Sequence, residues 1–216
     1  MADEKRISDV ELVVRATQYA AEMHIGQFRK SDKNVPYLNH PIDAMCKLVE
    51  IGHVEDAEVL AAAVLHDTVE DCKHHGASIE TIQKLFGERV AGLVAEVTDD
   101  KALGKAERKR LQIEHAPHKS KGAMLIKMAD KLSNLGDMRE RPPLSWDNER
   151  IQGYFVWAHY VLAPMLQANA FLADELCAVF SGNFQYKGQS YPCLPPADEM
   201  ENFLERYFQL MENCSD

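Results

Sequence analysis

Positive charge is scarce in this sequence, and that removes one class of answer at once. Lysine and arginine number 24 against 34 aspartates and glutamates, for a net charge of -10. A protein whose main partner is duplex nucleic acid needs a basic face, so nucleic acid is excluded as the expected ligand. An anionic small molecule is not excluded, because a local basic cluster or a metal ion can still recruit it. Cysteine is also sparse and badly placed for cross-linking. The five residues, Cys46, Cys72, Cys177, Cys193 and Cys214, are odd in number, widely spaced and form no CxxC pair. Reduced thiols in a cytoplasmic protein are therefore expected. No apolar run approaches the roughly 20 residues of a membrane-spanning helix. The opening residues Met1 to Arg6 lack the apolar segment of a signal peptide, so neither export nor a membrane is expected. Alternating β-branched residues are almost missing, and glycine and proline are modest at 11 and 9. What remains is a 216-residue chain, 46% hydrophobic, large enough for a sizeable helical core.

The helical signals follow one another along the chain. Ser8 and Glu11 form a capping box ahead of a helix over about 9–24, with Val10, Val14, Thr17 and Ala21 at helical spacing. Pro41 suits the first turn of a second helix and places His40 at its mouth, with Ile42, Met45, Cys46 and Val49 on one face. A third helix is expected from Glu55 through the apolar run Val59 to Leu65 and on to Asp71. His74 and His75 fall in the polar loop Lys73 to Ala77, where solvent exposure is the expectation. Ser78 caps a helix that Gly87 ends, and Val90, Leu93, Val94 and Val97 line the next. A basic stretch, Leu103 to Arg110, reads equally well as a solvated helix face or as a wall facing an anionic substrate. Ser145-Trp146 opens a long helix after Pro142-Pro143, and Pro164 should kink or split it. Residues 181–196 read as loop, and an amphipathic helix follows over about 198–211.

One stretch stands out: His66-Asp67-Thr68-Val69-Glu70-Asp71 sets one imidazole and three carboxylates directly after an apolar run. Buried charges of that density must be paired or bind a metal. His40 and Asp130 are the natural complements, because Asp130 also ends an apolar run, Ala123 to Ala129. Two imidazoles and two carboxylates form a mixed nitrogen and oxygen set that suits a divalent ion such as Mn²⁺, Fe²⁺ or Zn²⁺. An ion so held leaves room for water and substrate and makes the water a nucleophile near neutral pH. Glu70 and Asp71 exceed what a simple ligand shell needs and fit acid/base work. Asp130 and Asn134, like Arg150 and Tyr154, stand four apart and share a helix face.

The ordered set His40, His66-Asp67 and Asp130 resembles the HD-domain metal-dependent phosphohydrolases. More narrowly, His66 to Asp71 resembles the HDxxED motif of the alarmone hydrolase domain of RelA/SpoT proteins. Flanking segments agree: His24 to Lys30, Tyr37 to Pro41, Phe86-Gly87, Glu96 to Lys101, Glu107 to Gln112, Ala116 to His118 and Lys127 to Asn134. The nearest likeness is to small stand-alone hydrolases of the metazoan SpoT homologue type, over about residues 8–175.

That resemblance implies an all-α fold of about ten helices and one Mn²⁺ ion. It implies hydrolysis of the 3′-pyrophosphate of guanosine tetra- and pentaphosphate to GDP or GTP and pyrophosphate. Carried over by residue, the metal ligands are His40, His66, Asp67 and Asp130, and the catalytic carboxylates are Glu70 and Asp71. Arg29, Lys30, Lys105, Asn134, Arg150 and Tyr154 match positions that hold substrate. The same site acting on adenosine alarmones or on the 2′-phosphate of NADPH is an alternative, as is a catalytically silent nucleotide-binding domain. Residues 1–180 are expected to form the hydrolase domain. Residues 181–216 would be a loop and helix packed on it or at an oligomer interface, which leaves a homodimer open. The tail and the 73–77 loop depart from the family pattern. The chain has no room for the synthetase domain of long RelA/SpoT proteins, so degradation alone is expected.

Overall fold

The computed structural model describes residues 7–29 and 34–213; Lys30 and Cys214 fall outside them. In order, the elements are α1 (Asp9–Met23), α2 (Asn39–Glu50), α3 (Ala57–Leu65), α4 (Thr68–Asp71), α5 (Ile79–Phe86) and α6 (Glu88–Val97). Then come α7 (Lys105–His115), α8 (Lys121–Glu140), α9 (Asn148–Leu162), α10 (Ala170–Phe180), the strands β1 (Asn183–Tyr186) and β2 (Gln189–Pro192), and α11 (Met200–Glu212). The fold class is all-α, with one small hairpin.

The bundle is built around α3. Asp56 caps it, accepting from the Glu58 and Val59 amides, and seven of its nine residues are buried. Four of those nine are alanines, so α1, α2, α6 and α8 all approach it. This crowding explains why the buried faces of α1 and α2 differ from the apolar stripes read in the sequence. On α1 the buried residues are Leu12, Ala16 and Ala20, while Val10 and Val14 are 74% and 60% exposed. On α2 they are His40, Pro41, Ala44 and Leu48, and Val49 is exposed. Small side chains are what admit a neighbouring backbone, and hydrophobic spacing weighted by bulk points to the wrong face.

The single helix expected from Glu55 to Asp71 is interrupted at His66-Asp67. Side chains replace the lost backbone bonds there. His66 Nδ1 lies 2.8 Å from the Ala63 carbonyl, and the Thr68 hydroxyl donates to the Leu65 carbonyl at 2.7 Å. Thr68 is fully buried. Thr68→Val keeps the shape and strands the Leu65 carbonyl, so it is expected to cost about 1–3 kcal/mol of stability. The reading is a lower urea midpoint at unchanged m-value.

α8 is buried over most of its length and crosses beside α2, α3 and α6. The helix after the Pro-Pro break starts later than Ser145, at Asn148, because Asp147 accepts from the Arg150 amide and caps it. Pro164 does split the pattern: α9 stops at Leu162, and a 3₁₀ segment, Ala163–Ala168, leads into α10. The stretch read as loop after Ser181 forms an antiparallel hairpin, with Asn183 opposite Pro192 and Tyr186 opposite Gln189. Its two-residue turn, Lys187-Gly188, has φ of +50° and +78°, the geometry that joins twisted strands tightly. α11 packs on α7 and α9.

Candidate active site

Three elements converge where α3 ends. His40 comes from the first turn of α2, His66 and Asp67 from the α3–α4 break, and Asp130 from α8. The His40 Nδ1 lies 3.0 Å from Ser133 Oγ, which leaves Nε2 facing the carboxylates, 3.2 Å from Asp130 Oδ1 and 3.7 Å from Asp67 Oδ2. His66 is held the same way, through Nδ1 on Ala63; its Nε2 lies 3.0 Å from Asp67 Oδ2 and 3.8 Å from Asp130 Oδ1. One donor atom each from His40, His66 and Asp67 falls within 4.8 Å of the others. The His66 Nε2 is buried, and the Asp67 and Asp130 carboxylates are what it faces. Imidazoles fixed through one nitrogen with the other turned to a carboxylate cluster are what a metal ligand shell requires.

The charges at this point are strongly coupled. Burial opposes the charged form of His66, but the Asp67 carboxylate overrides it and raises the imidazole to about 9. Burial likewise works against ionised Asp67 and Asp130, yet His66 lowers the first and Lys131 with His40 lowers the second. His40 is lowered, chiefly by burial. The Tyr37 hydroxyl donates to Asp67 Oδ2 at 2.6 Å, and burial with Asp67 beside it keeps that phenol protonated.

Glu70 and Asp71 line the same cleft one turn further on. Glu70 accepts from the Asp99 amide at 3.2 Å. Lys101 Nζ bridges both carboxylates, 3.3 Å from Glu70 and 2.7 Å from Asp71. Burial, then the charges of Asp67 and Asp99, raise the Glu70 pKa, and Lys101 counteracts them.

The cleft has a volume of about 400 Å³. Arg29, Lys105, Asn134, Arg150 and Tyr154 all line it, while Lys30 lies outside the described residues. Arg29 donates to Asn134 at 2.9 Å and to Asp137 at 2.8 Å, and Asn134 donates to Asp130 at 2.6 Å. One hydrogen-bonded chain therefore joins the cleft rim to the carboxylates. The Arg150 guanidinium sits 4.2 Å above Trp146. The basic stretch divides between its two readings: Lys105 and Lys109 face the cleft, whereas Arg110 turns outward to Glu205 and Glu212. Burial and the neighbouring Lys131 depress the Lys109 pKa. His74 and His75 are exposed and away from the cleft.

Several residues of the site escaped sequence reasoning. Tyr37 and Lys101 lay inside the segments that carried the family resemblance, and nothing in their spacing assigned them a role. Lys127 and Lys131 look like charges on a helix, yet both are buried, and Lys131 Nζ lies 2.7 Å from Asp130. Trp157 and Tyr207 sit at ordinary core spacing.

Comparison with known proteins agrees with this geometry. Residues 16–159 match the HD domain family. The chain is 46% identical over 173 residues to the guanosine-3′,5′-bis(diphosphate) 3′-pyrophosphohydrolase MESH1 of Xenopus tropicalis, covering 80% of this chain and 95% of that protein. It is 49% identical over 163 residues to the Drosophila melanogaster protein of the same name, 76% and 89% of the two chains. Among solved structures, a metazoan orthologue of SpoT that hydrolyses ppGpp aligns with a TM-score of 0.76 at 46% identity. That alignment covers 82% of this chain and 96% of the other.

Proposed function

Because the chain belongs to the HD-domain family, in the group of the MESH1 pyrophosphohydrolases, we propose that its cleft hydrolyses the 3′-pyrophosphate of guanosine tetra- and pentaphosphate. The observation that carries this reading is the joining, at one cleft, of a His40-His66-Asp67 cluster with Asp130 beside it, two further carboxylates and a wall of lysine and arginine. His40, His66, Asp67 and Asp130 would hold a divalent ion, and Mn²⁺ is the ion proposed. The buried His66 Nε2, turned to the Asp67 carboxylate, and the oxygen and nitrogen donor set fit such an ion. When bound, it supplies Lewis-acid chemistry, lowering the pKa of water and withdrawing charge from phosphoryl oxygen.

The rest of the work falls to the chain. Tyr37 and Ser133 hold Asp67 and His40 in place through their hydrogen bonds. Glu70, whose proton affinity is raised, takes the proton of the attacking water. The water oxygen bonds to phosphorus, the bond from phosphorus to the ribose 3′ oxygen breaks, and that oxygen takes up the proton that Glu70 gained. The products are GDP or GTP and pyrophosphate. Arg29, Lys105 and Arg150 offset substrate charge, and Tyr154 with Trp146 offers aromatic surface for the nucleoside. No described helix is long and apolar enough to cross a membrane. A cytoplasmic setting is supported by free thiols at Cys46, Cys72, Cys177 and Cys193.

The test is a hydrolysis panel on purified protein. Mn²⁺-loaded enzyme should release pyrophosphate from guanosine tetraphosphate and stop on chelation. Intact guanosine tetraphosphate beside hydrolysed adenosine alarmone or NADPH would overturn the guanosine assignment. A second prediction concerns Lys101, whose ammonium lowers the Glu70 pKa. Lys101→Met removes that cation, so the acidic limb of the kcat/KM profile should move to higher pH. A limb that stays in place would separate Lys101 from the titrating base.

A further inference from the structure

About a fifth of this chain lies outside the alignment with the Xenopus protein. The alignment with the Xenopus protein uses 95% of that protein. The C-terminal segment enters the cleft, where Tyr207 and Met211 of α11 form part of the wall.

The seat for Tyr207 is built into α9. A Cβ at Gly153 would stand 2.6 Å from Tyr207 Cδ2 and 2.9 Å from its Cβ, so only glycine admits the ring there. Around it the segment is tied down at several points. Gln152 donates to the Pro192 carbonyl at 3.0 Å, Phe184 stacks on Phe155 with centroids 5.7 Å apart, and Arg206 pairs with Glu149 at 3.0 Å. Tyr207 is 1% exposed.

The ring faces a lysine. Lys109 Nζ lies 3.3 Å from the centroid of Trp157, 5.3 Å from Tyr154 and 5.5 Å from Tyr207. The Trp157 indole nitrogen donates to the Lys109 carbonyl at 3.0 Å, which fixes the base of that side chain. Burial and Lys131 work against the charged form of Lys109, while the aromatic faces around it and an anion in the cleft favour that form.

We propose that the C-terminal extension is part of the substrate site: the Tyr207 ring, seated on Gly153, completes with Trp157 and Tyr154 an aromatic box that presents the Lys109 ammonium to substrate phosphate. Lys109 is the binding residue, and Tyr207 is a positioning residue that acts through it. The inference rests on the cleft being a nucleotide pyrophosphate site.

The test uses the full, metal-loaded chain and two readouts: calorimetric binding of inorganic pyrophosphate, and KM against kcat for guanosine tetraphosphate. Lys109→Met and Tyr207→Ala should each weaken pyrophosphate binding about tenfold and raise KM similarly, with kcat within about twofold. Tyr207→Phe keeps the ring and should match the wild type. Adding Tyr207→Ala to Lys109→Met should cost nothing more, because the two act as one unit. A folded Tyr207→Ala protein with unchanged pyrophosphate affinity overturns the proposal, as do additive effects in the double variant. If Tyr207→Ala does not fold, Lys109→Met decides alone, and unchanged binding sinks the box. A wild type that leaves guanosine tetraphosphate intact defeats the functional reading instead, and the pyrophosphate titration still decides the box.

Discussion

Asp67→Asn is expected to abolish metal-dependent stabilisation together with turnover. The substitution keeps the shape, and the Tyr37 hydroxyl can still donate to the amide oxygen. What it removes is the negative charge facing both imidazoles, at 3.0 Å from His66 and 3.7 Å from His40. A neutral amide oxygen holds a divalent ion less tightly than a carboxylate, which brings a full negative charge. At an ion concentration a hundredfold above its dissociation constant, the wild type should melt about 5–10 °C higher than without metal. Asp67→Asn should show no rise, and its rate of pyrophosphate release should fall to background.

A pH dependence follows from the same contact. In the metal-free protein, His66 is raised to about 9. Its stabilising contribution is fully present below the unfolded value near 6.5 and is lost as pH rises through the folded value, by at most about 1.4 kcal/mol per pH unit. Metal binding needs the neutral imidazole, so the metal-dependent part of the stability has the opposite slope and grows with pH. Melting curves at about pH 6 and 9, with ion and with chelator, separate the two slopes. Asp67→Asn should flatten both. A variant that still melts higher with Mn²⁺ would remove Asp67 from the shell.

What makes this cluster of imidazoles and carboxylates readable from sequence is its chemical cost. His66 and Asp67 end a run of apolar residues, and Asp130 ends another, so each puts an ionisable group where a core expects none. No similar signal marks a packing surface made of alanine. The buried residues Ala16 and Ala20 of α1 vanish in a search for apolar spacing, while the exposed Val10 and Val14 dominate it. The break at His66 was hidden for a different reason. It depends on the Thr68 hydroxyl and the His66 ring replacing backbone bonds, and neither residue type announces that role. Lys187-Gly188 is an inconspicuous turn pair whose function rests on two positive φ angles. Lys109 falls in the basic stretch read as a possible wall of the site, but its meeting with Tyr207, across helices far apart in the chain, carries no signal in the sequence. Tyr207 in particular reads as one more apolar position of an amphipathic helix.

Glu70→Gln should cut kcat by about 10²–10⁴-fold while leaving the metal in place. The two carboxylates after the break differ in their surroundings, and that difference is the ground for proposing Glu70 as the base. Asp71 is held by Lys101 at 2.7 Å. Glu70 is set among Asp67 and Asp99, with Lys101 further off at 3.3 Å, and burial with those charges raises its proton affinity toward a working pH. A glutamine in its place can still accept from the Asp99 amide through its carbonyl, and Lys101 keeps its bond to Asp71. The fold should persist, and the metal-dependent rise in melting temperature should match the wild type. KM should change by a few fold at most, since Glu70 offers nothing to an anionic substrate in the ground state. The acidic limb of the pH profile should vanish from the residual rate, because the group that titrates is gone. Loss of the metal-dependent melting shift along with turnover would show that Glu70 belongs to the ligand shell. Unchanged turnover would remove it from the mechanism and pass the proton to Asp71, which the same measurements on Asp71→Asn would then detect.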